Sequence, residues 1–280
     1  MANLPEKPTI QKALLDYRAE RQLDIAAVAK QARVRVDQLE KIERGNFEGI
    51  EDYRLMRLWQ LVNPAVYDEP VIETGNFNTV IKVCKAAQEH QLMVALIGDT
   101  GLGKTTSLMA YRRRPNVFYV LYEKSMNPKV FFISLMREMG INLKGSINDM
   151  VKRAAHELSI LENPLIVIDE AGKLPVTLLM YLHDLRNQTQ NTSGILLAGM
   201  PYFKVNLESW VSKQKEGASE FYRRVQLWQE LQPPTRAEIK AICILHGITD
   251  PATVKNMQKF RDFGNLSNAI LLEKLMLNQF

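Results

Sequence analysis

Residues 93–106 read Met-Val-Ala-Leu-Ile-Gly98-Asp99-Thr100-Gly101-Leu102-Gly103-Lys104-Thr105-Thr106. An apolar run stops at a glycine, and the eight residues from Gly98 to Thr105 match the pattern GxxxxGK[ST] in full. The residue types follow from what the pattern must do. Glycines let the main chain curl so that several N–H groups face one phosphate, and the helix that follows adds its positive N-terminal end. Lys104 supplies a charge for the β- and γ-phosphates, and Thr105 a hydroxyl for Mg²⁺. The segment Gly98, Asp99, Thr100, Gly101, Leu102, Gly103, Lys104, Thr105 and Thr106 is therefore expected to cradle ATP.

Outward from this loop, Leu165-Ile-Val-Ile-Asp169-Glu170 is the next informative stretch. Four apolar residues predict a buried strand, and two carboxylates emerge together at its C-terminal edge, where open α/β sheets bind ligands. Asp169 is expected to hold Mg²⁺ with Thr105, and Glu170 to orient or deprotonate an attacking water. Short apolar runs at 92–97, 117–121, 165–168, 195–198 and 225–231 alternate with helical stretches. That pattern predicts a parallel sheet covered on both faces.

Further out the pattern changes on both sides. Residues 9–62 carry apolar positions at three- and four-residue steps and predict a bundle of short helices, broken at Gly45 and Gly49. Residues 63–75 hold two prolines and little periodicity, and are read as a linker. After Pro233-Pro234, Thr235-Arg-Ala-Glu238 is a capping box opening a helix that stops near Gly247; helices about 252–262 and 265–278 follow. The expected organisation is a helical domain (1–62), a linker (63–75), a nucleotide-binding α/β core (76–232) and a small helical lid (233–280).

The 280 residues are 46% hydrophobic and 24% charged, the balance of a globular chain, and no apolar run approaches the length of a membrane span. The start has neither a basic segment nor an apolar stretch after it, as a signal peptide would. Cys84 and Cys243 stand far apart in no CxxC pattern, and the four histidines show no HExxH spacing. A disulfide scaffold and a cysteine-based zinc site are not expected, and a reducing cytoplasm fits. The net charge of +5 permits nucleic-acid binding without establishing it. Residues 1–62 hold 11 basic and 10 acidic groups and the rest 25 and 21, so any DNA surface must come from local arrangement.

The order of phosphate loop, Asp-Glu strand, fourth strand and helical lid resembles the AAA+ ATPases. With a helical module ahead of it, the chain is most similar to the MuB/TnsC/IstB family of transposition regulators, closest in layout to its MuB branch. The resemblance runs from about residue 10 to residue 275. It is carried by Val-Ile-Glu-Thr (71–74), by Gly-Asp-Thr-Gly-Leu-Gly-Lys-Thr-Thr with the Tyr-Arg-Arg that follows, and by Ile-Val-Ile-Asp-Glu-Ala-Gly-Lys-Leu. It implies an ATPase that oligomerises in a ring or filament on double-stranded DNA with little sequence preference and recruits a transposase. It also implies an arginine acting on a neighbour's nucleotide, best matched by Arg224, with Arg223 as the alternative. Both sensor positions depart from the family pattern: Gly199-Met200 stands where a polar residue follows glycine, and Gly264-Asn265-Leu266-Ser267 lacks the usual arginine. Arg261 is the nearby substitute, and slow turnover is expected.

Residues 18–45 resemble a helix-turn-helix of phage-repressor type, with a first helix at 23–31, a turn at 32–34 and a recognition helix at 35–44. Ala29, Val34, Leu39 and Ile42 are expected inward. Arg35, Asp37, Gln38, Lys41 and Arg44 are expected outward, with Arg35, Gln38, Lys41 and Arg44 available to DNA. Arg33 stands where glycine is preferred. In the resembled family DNA is gripped mainly by loops of the ATPase, which here points to Lys124 and Lys129 and, more weakly, to Lys144, Lys152, Arg153 and Lys173. Two other readings stay open at this level: a helicase-loader-like adaptor whose N-terminal helices grip a protein, and a nucleotide-responsive repressor reading an operator through residues 35–44.

Overall fold

The structure, a computed structural model, describes residues 5–32, 34–62, 72–141, 143 and 145–277. Arg33, most of the expected linker (63–71) and Lys144 lie outside the described residues. The chain divides into two compact units, one of residues 1–71 with 133–144, the other of residues 72–132 with 145–280.

The first unit is built on four helices: α1 (Lys7–Arg21), α2 (Ile25–Ala32), α3 (Val36–Glu43) and α4 (Asp52–Val62). The Asp24 carboxylate accepts from the Ala27 N–H at the start of α2, and Gly45 ends the α3 segment at φ +75°, a conformation glycine adopts without a steric penalty. Ile10, Leu14, Val28, Leu39, Ile42, Leu55 and Leu58 are fully buried together. Each such side chain contributes about 1.5–3 kcal/mol by leaving water. One expectation is overturned. Gln38 points inward, 5% exposed, and its Oε1 accepts from Arg54 Nη1 at 2.6 Å. The helical period explains this: Val34, Gln38 and Ile42 follow one another at four-residue steps and share the inner face.

In the second unit, α5 (Gly75–Glu89) opens on Thr74, whose side chain accepts from the Phe77 N–H, so the helix claims the end of the expected linker. Five parallel strands follow: β1 (Met93–Ile97), β2 (Val117–Leu121), β3 (Leu165–Asp169), β4 (Gly194–Gly199) and β5 (Leu227–Glu230). Their order across the sheet is β2-β3-β4-β1-β5. Between them in sequence come α6 (Lys104–Tyr111), α7 (Pro128–Glu138, counted with the first unit from residue 133 on), α8 (Ile147–Ser159), a short 3₁₀ turn (Ala171–Lys173), α9 (Val176–Thr189), α10 (Tyr202–Ser212) and α11 (Ala218–Arg224). Strands β1, β3 and β4 are buried at every position, as a sheet covered on both faces requires. The last strand is shorter than its apolar run: Val225 and Leu231 are buried but lie outside Leu227–Glu230, although the Leu231 N–H still donates to the Ile97 carbonyl at 2.8 Å. Arg223 and Arg224 therefore end a helix and do not flank a strand.

The lower edge of the sheet is tied by Arg186, 4% exposed, which donates to the carbonyls of Ser193 (2.8 Å) and Gln91 (2.7 Å). Burial first, then the charge of Arg224, pushes its guanidinium down to about 10, so it stays a cation at neutral pH. The chain closes with α12 (Arg236–Leu245), α13 (Pro251–Met257) and α14 (Phe263–Leu277), which share a small core of Ile239, Ile242, Cys243, Val254, Leu266 and Ile270. Thr235 and Glu238 form the expected capping box, and Glu238 also accepts from the Gly75 N–H at 2.7 Å. Ile244, Leu245, Leu271, Leu272, Leu275 and Met276 are exposed on α12 and α14. Among the described residues, no helix is long and apolar enough to cross a membrane.

Gly194 is the tightest point of the core: a Cβ there would lie 2.1 Å from the Ala87 carbonyl oxygen, a main-chain atom that cannot swing aside. Gly194→Ala is expected to destabilise the second unit by about 3 kcal/mol through overpacking. Denaturant unfolding, followed with a probe in each unit, checks it. The expected result is a lowered midpoint for the second unit, with that of the N-terminal helices unchanged.

Candidate nucleotide-binding site

The order β3-β4-β1 brings the ends of three strands to one edge of the sheet. Gly98 follows β1, Met200 follows β4, and Asp169 ends β3. Gly101 and Gly103 adopt φ of +79° and +84°, values that cost a side-chain-bearing residue about 1–2 kcal/mol. They curl the loop back so that Gly103 caps α6 and Lys104 begins it. Lys104 is 9% exposed, and its ammonium donates to the carbonyls of Gly98 (2.5 Å) and Asp99 (2.8 Å). Burial pushes its pKa below the usual lysine value, while Asp169, Glu170 and Asp99 pull it back up.

Asp169 is 1% exposed and fully engaged. Its Oδ2 accepts from Thr105 Oγ1 at 2.7 Å and from the Tyr119 hydroxyl at 2.9 Å, and its Oδ1 accepts from the Glu170 N–H at 2.8 Å. Glu170 itself has left-handed backbone, φ 60° and ψ 34°, which turns the chain sharply at the strand end. Its carboxylate pairs with Lys173 at 3.1 Å. Hydrogen bonding to Glu170 holds the Lys173 amine above its usual pKa. Lys173, a weak DNA candidate by sequence, is thus a partner of the expected catalytic carboxylate.

One hydroxyl and one buried carboxylate in contact suit Mg²⁺, which completes its shell with waters and phosphate oxygens and does not need an all-protein cage. Among the described residues there is no group of three or more His, Cys, Asp or Glu placed to hold a metal ion by itself. The residues present fit a nucleotide-borne Mg²⁺.

Three further residues at this site, Tyr119, Asn76 and Asp262, escaped the sequence reading. Tyr119 reads as strand filler, and only the pairing of β2 with β3 sets it against Asp169. Asn76, 9% exposed in the first turn of α5, donates to the carbonyls of Leu102 (3.2 Å) and Gln232 (2.8 Å), tying the phosphate loop to the segment between β5 and α12. Thr100 donates to the Met200 sulfur at 3.6 Å, so the methionine at the first sensor position packs on the loop. Asp262 lies over Gly101, and the Phe263 N–H donates to the Gly101 carbonyl at 2.8 Å. The spacing Asp262 to Asn265, a cap pattern, was the available signal; the Asp262 carboxylate accepts from the Asn265 N–H at 2.7 Å. Arg261 and Ser267 are exposed.

The remaining candidates lie elsewhere. Lys124 and Lys129 are exposed beyond the C-terminal end of β2, on the same sheet edge as the loop. Lys152 and Arg153 are exposed on α8, with Arg153 paired to Glu157. Arg224 precedes β5 and therefore sits at the opposite edge of the sheet. It donates to Asn187 Oδ1 (2.6 Å) and Gln190 Oε1 (3.2 Å). In the N-terminal unit Arg35, Lys41 and Arg44 are exposed, with Arg35 paired to Asp37 and Arg44 to Glu40.

Residues 87–207 match the AAA domain family. The chain is 25% identical over 272 residues to the Mu-like prophage FluMu DNA transposition protein B of Haemophilus influenzae, covering 91% of this chain and 92% of that protein. Among solved structures it is similar to the ORC2 protein of Aeropyrum pernix in its ADPNP–ADP complexes (TM-score 0.53, 16% identity, 75% of this chain and 64% of that one). It is also similar to the ORC1 protein of the same organism in complex with DNA (TM-score 0.50, 18% identity, 72% and 57%). This chain thus spans less than two thirds of either structure. Those likenesses establish the AAA+ phosphate-loop fold, with the parallel sheet expected from the sequence.

A Cβ at Gly101 would lie 2.7 Å from Asp262 Oδ1, on backbone already in the left-handed region. Gly101→Ala should release the N-terminal end of α14 from the loop. Hydrogen exchange checks this: the Phe263 amide is expected to exchange at least about tenfold faster, whereas unaltered protection would show that α14 does not dock through this contact.

Proposed function

We propose that this AAA-domain chain, similar to transposition protein B along nearly its whole length, is an ATPase that assembles on double-stranded DNA and serves DNA transposition. It would bind DNA with little sequence preference, present the assembly to a transposase and stimulate it. The observation that carries the reading is the extent of the likeness: it runs through the N-terminal helices and the lid as well as through the AAA domain.

The site residues divide the chemistry among them. Lys104 places its charge on the β- and γ-phosphates. Thr105 and Asp169 hold Mg²⁺, which when bound neutralises the phosphate oxygens and orients them for attack. Glu170 orients the attacking water once its carboxylate leaves Lys173. Arg224 cannot serve its own loop from the opposite sheet edge and acts on a neighbour's nucleotide. Met200 offers a thioether where a hydrogen-bond donor would help, and Ser267 offers no cation, so turnover is slow and ATP works chiefly as an assembly ligand. The large apolar side chains left exposed on α12 (Ile244, Leu245) and α14 (Leu271, Leu272, Leu275, Met276) support self-assembly, because burying them in a contact between copies would be favourable. Lys124 and Lys129 are the DNA contacts best placed beside the site. The inward Gln38, one of the four residues an operator would be read through, speaks against an operator-reading repressor.

Retention on duplex DNA with and without ATP tests the reading. Lys104→Ala is expected to remove the ATP-stimulated part of binding, and DNA affinity indifferent to ATP in the unmodified chain would sink the proposal. Arg224 is tested by mixing. Arg224→Ala alone should lower ATP hydrolysis by at least about 10²-fold. An equal mixture of Arg224→Ala and Lys104→Ala chains should recover roughly a quarter of the normal rate, since head-to-tail contacts rebuild intact sites at that frequency. No recovery in mixtures shown to co-assemble would remove Arg224 from the role.

A further inference from the structure

We propose that Tyr119 is a positioning residue of the nucleotide site, its hydroxyl fixing the Asp169 carboxylate in the orientation from which it receives metal-bound water. This rests on the ATP–Mg²⁺ reading above and adds to it a residue from β2, a strand that otherwise supplies nothing to the chemistry. Asp169 is buried, and a carboxylate out of water is tolerated only when its oxygens are held by donors. Three donors hold it: the Thr105 hydroxyl, the Tyr119 hydroxyl and the Glu170 N–H. A threonine hydroxyl can offer a lone pair to a metal and still donate its proton to Asp169, so the place of Thr105 would be set by the metal as well as by the carboxylate. Tyr119 and the Glu170 amide are the two donors that orient Asp169 from the protein alone.

The tyrosine is itself held in place. It is 7% exposed, its ring packs in the core beside Val117 and Val167, and the Arg112 guanidinium lies 5.5 Å from the ring centroid. Partners behind a metal-binding carboxylate or imidazole affect metal affinity by about 10–100-fold where they have been removed.

The test is calorimetric titration of ADP into the full chain, in EDTA and in Mg²⁺, giving the factor by which the metal strengthens binding. Tyr119→Phe should leave the EDTA affinity within about twofold and reduce the Mg²⁺ enhancement by about tenfold. In an Asp169→Asn background the same change should cost nothing further. Tyr222→Phe, which removes an exposed hydroxyl bonded to Glu208, should leave the enhancement intact. An undiminished enhancement in Tyr119→Phe would overturn the proposal, as would an equal loss in EDTA or additive losses with Asp169→Asn. Should the variant be less stable, the same ratio measured below its unfolding temperature decides the question. Failure of the unmodified chain to bind ADP at all, or to respond to Mg²⁺, would instead overturn the reading of the site beneath it.

Discussion

A carboxylate with almost no access to water, Asp169, is the constraint around which the second unit is organised. A buried charge without donors would cost several kcal/mol. Its three donors come from three separate places: the helix after the phosphate loop, the neighbouring strand β2 and the next residue of its own chain. Supplying the tyrosine donor requires β3 to lie beside β2. The return of the phosphate loop to α6 brings Thr105 to it, and the turn at the left-handed Glu170 presents the third donor.

Much of this was readable from local spacing. The loop from Gly98 to Thr106 and the pair Asp169–Glu170 are contiguous, and short apolar runs mark the strands without any knowledge of their neighbours. What escaped depends on pairing between distant segments. Tyr119 looks like any aromatic in a strand until the β2–β3 register sets it against Asp169. Gln38 was assigned by its polarity, although the four-residue step from Val34 to Ile42 already placed it inside. The apolar run at 225–231 suggested a longer strand because burial and ladder pairing are different properties. Val225 and Leu231 are buried, yet only Leu227–Glu230 pair as strand.

The charges of the N-terminal unit illustrate a related limit. Arg35 and Arg44 each sit within reach of an acid on their own helix, and Glu43 is paired with Arg18. The two exposed pairs, those of Arg35 and Arg44, are weak, commonly below about 1 kcal/mol, so a phosphate could displace them at little cost. Composition gave a nearly neutral module, and the structure distributes that neutrality residue by residue instead of gathering a basic face.

The main-chain bond from Phe263 to Gly101 joins the phosphate loop to the first residue of a 15-residue helix. At 1.5 Å per residue that helix is about 22 Å long, so a pivot of ten degrees at its root displaces the far end by about 4 Å. The far end carries Leu271, Leu272, Leu275 and Met276 in the open. A small change in loop backbone at its source is thereby magnified into a shift as large as a side chain, at a stretch of helix that leaves its hydrocarbon uncovered.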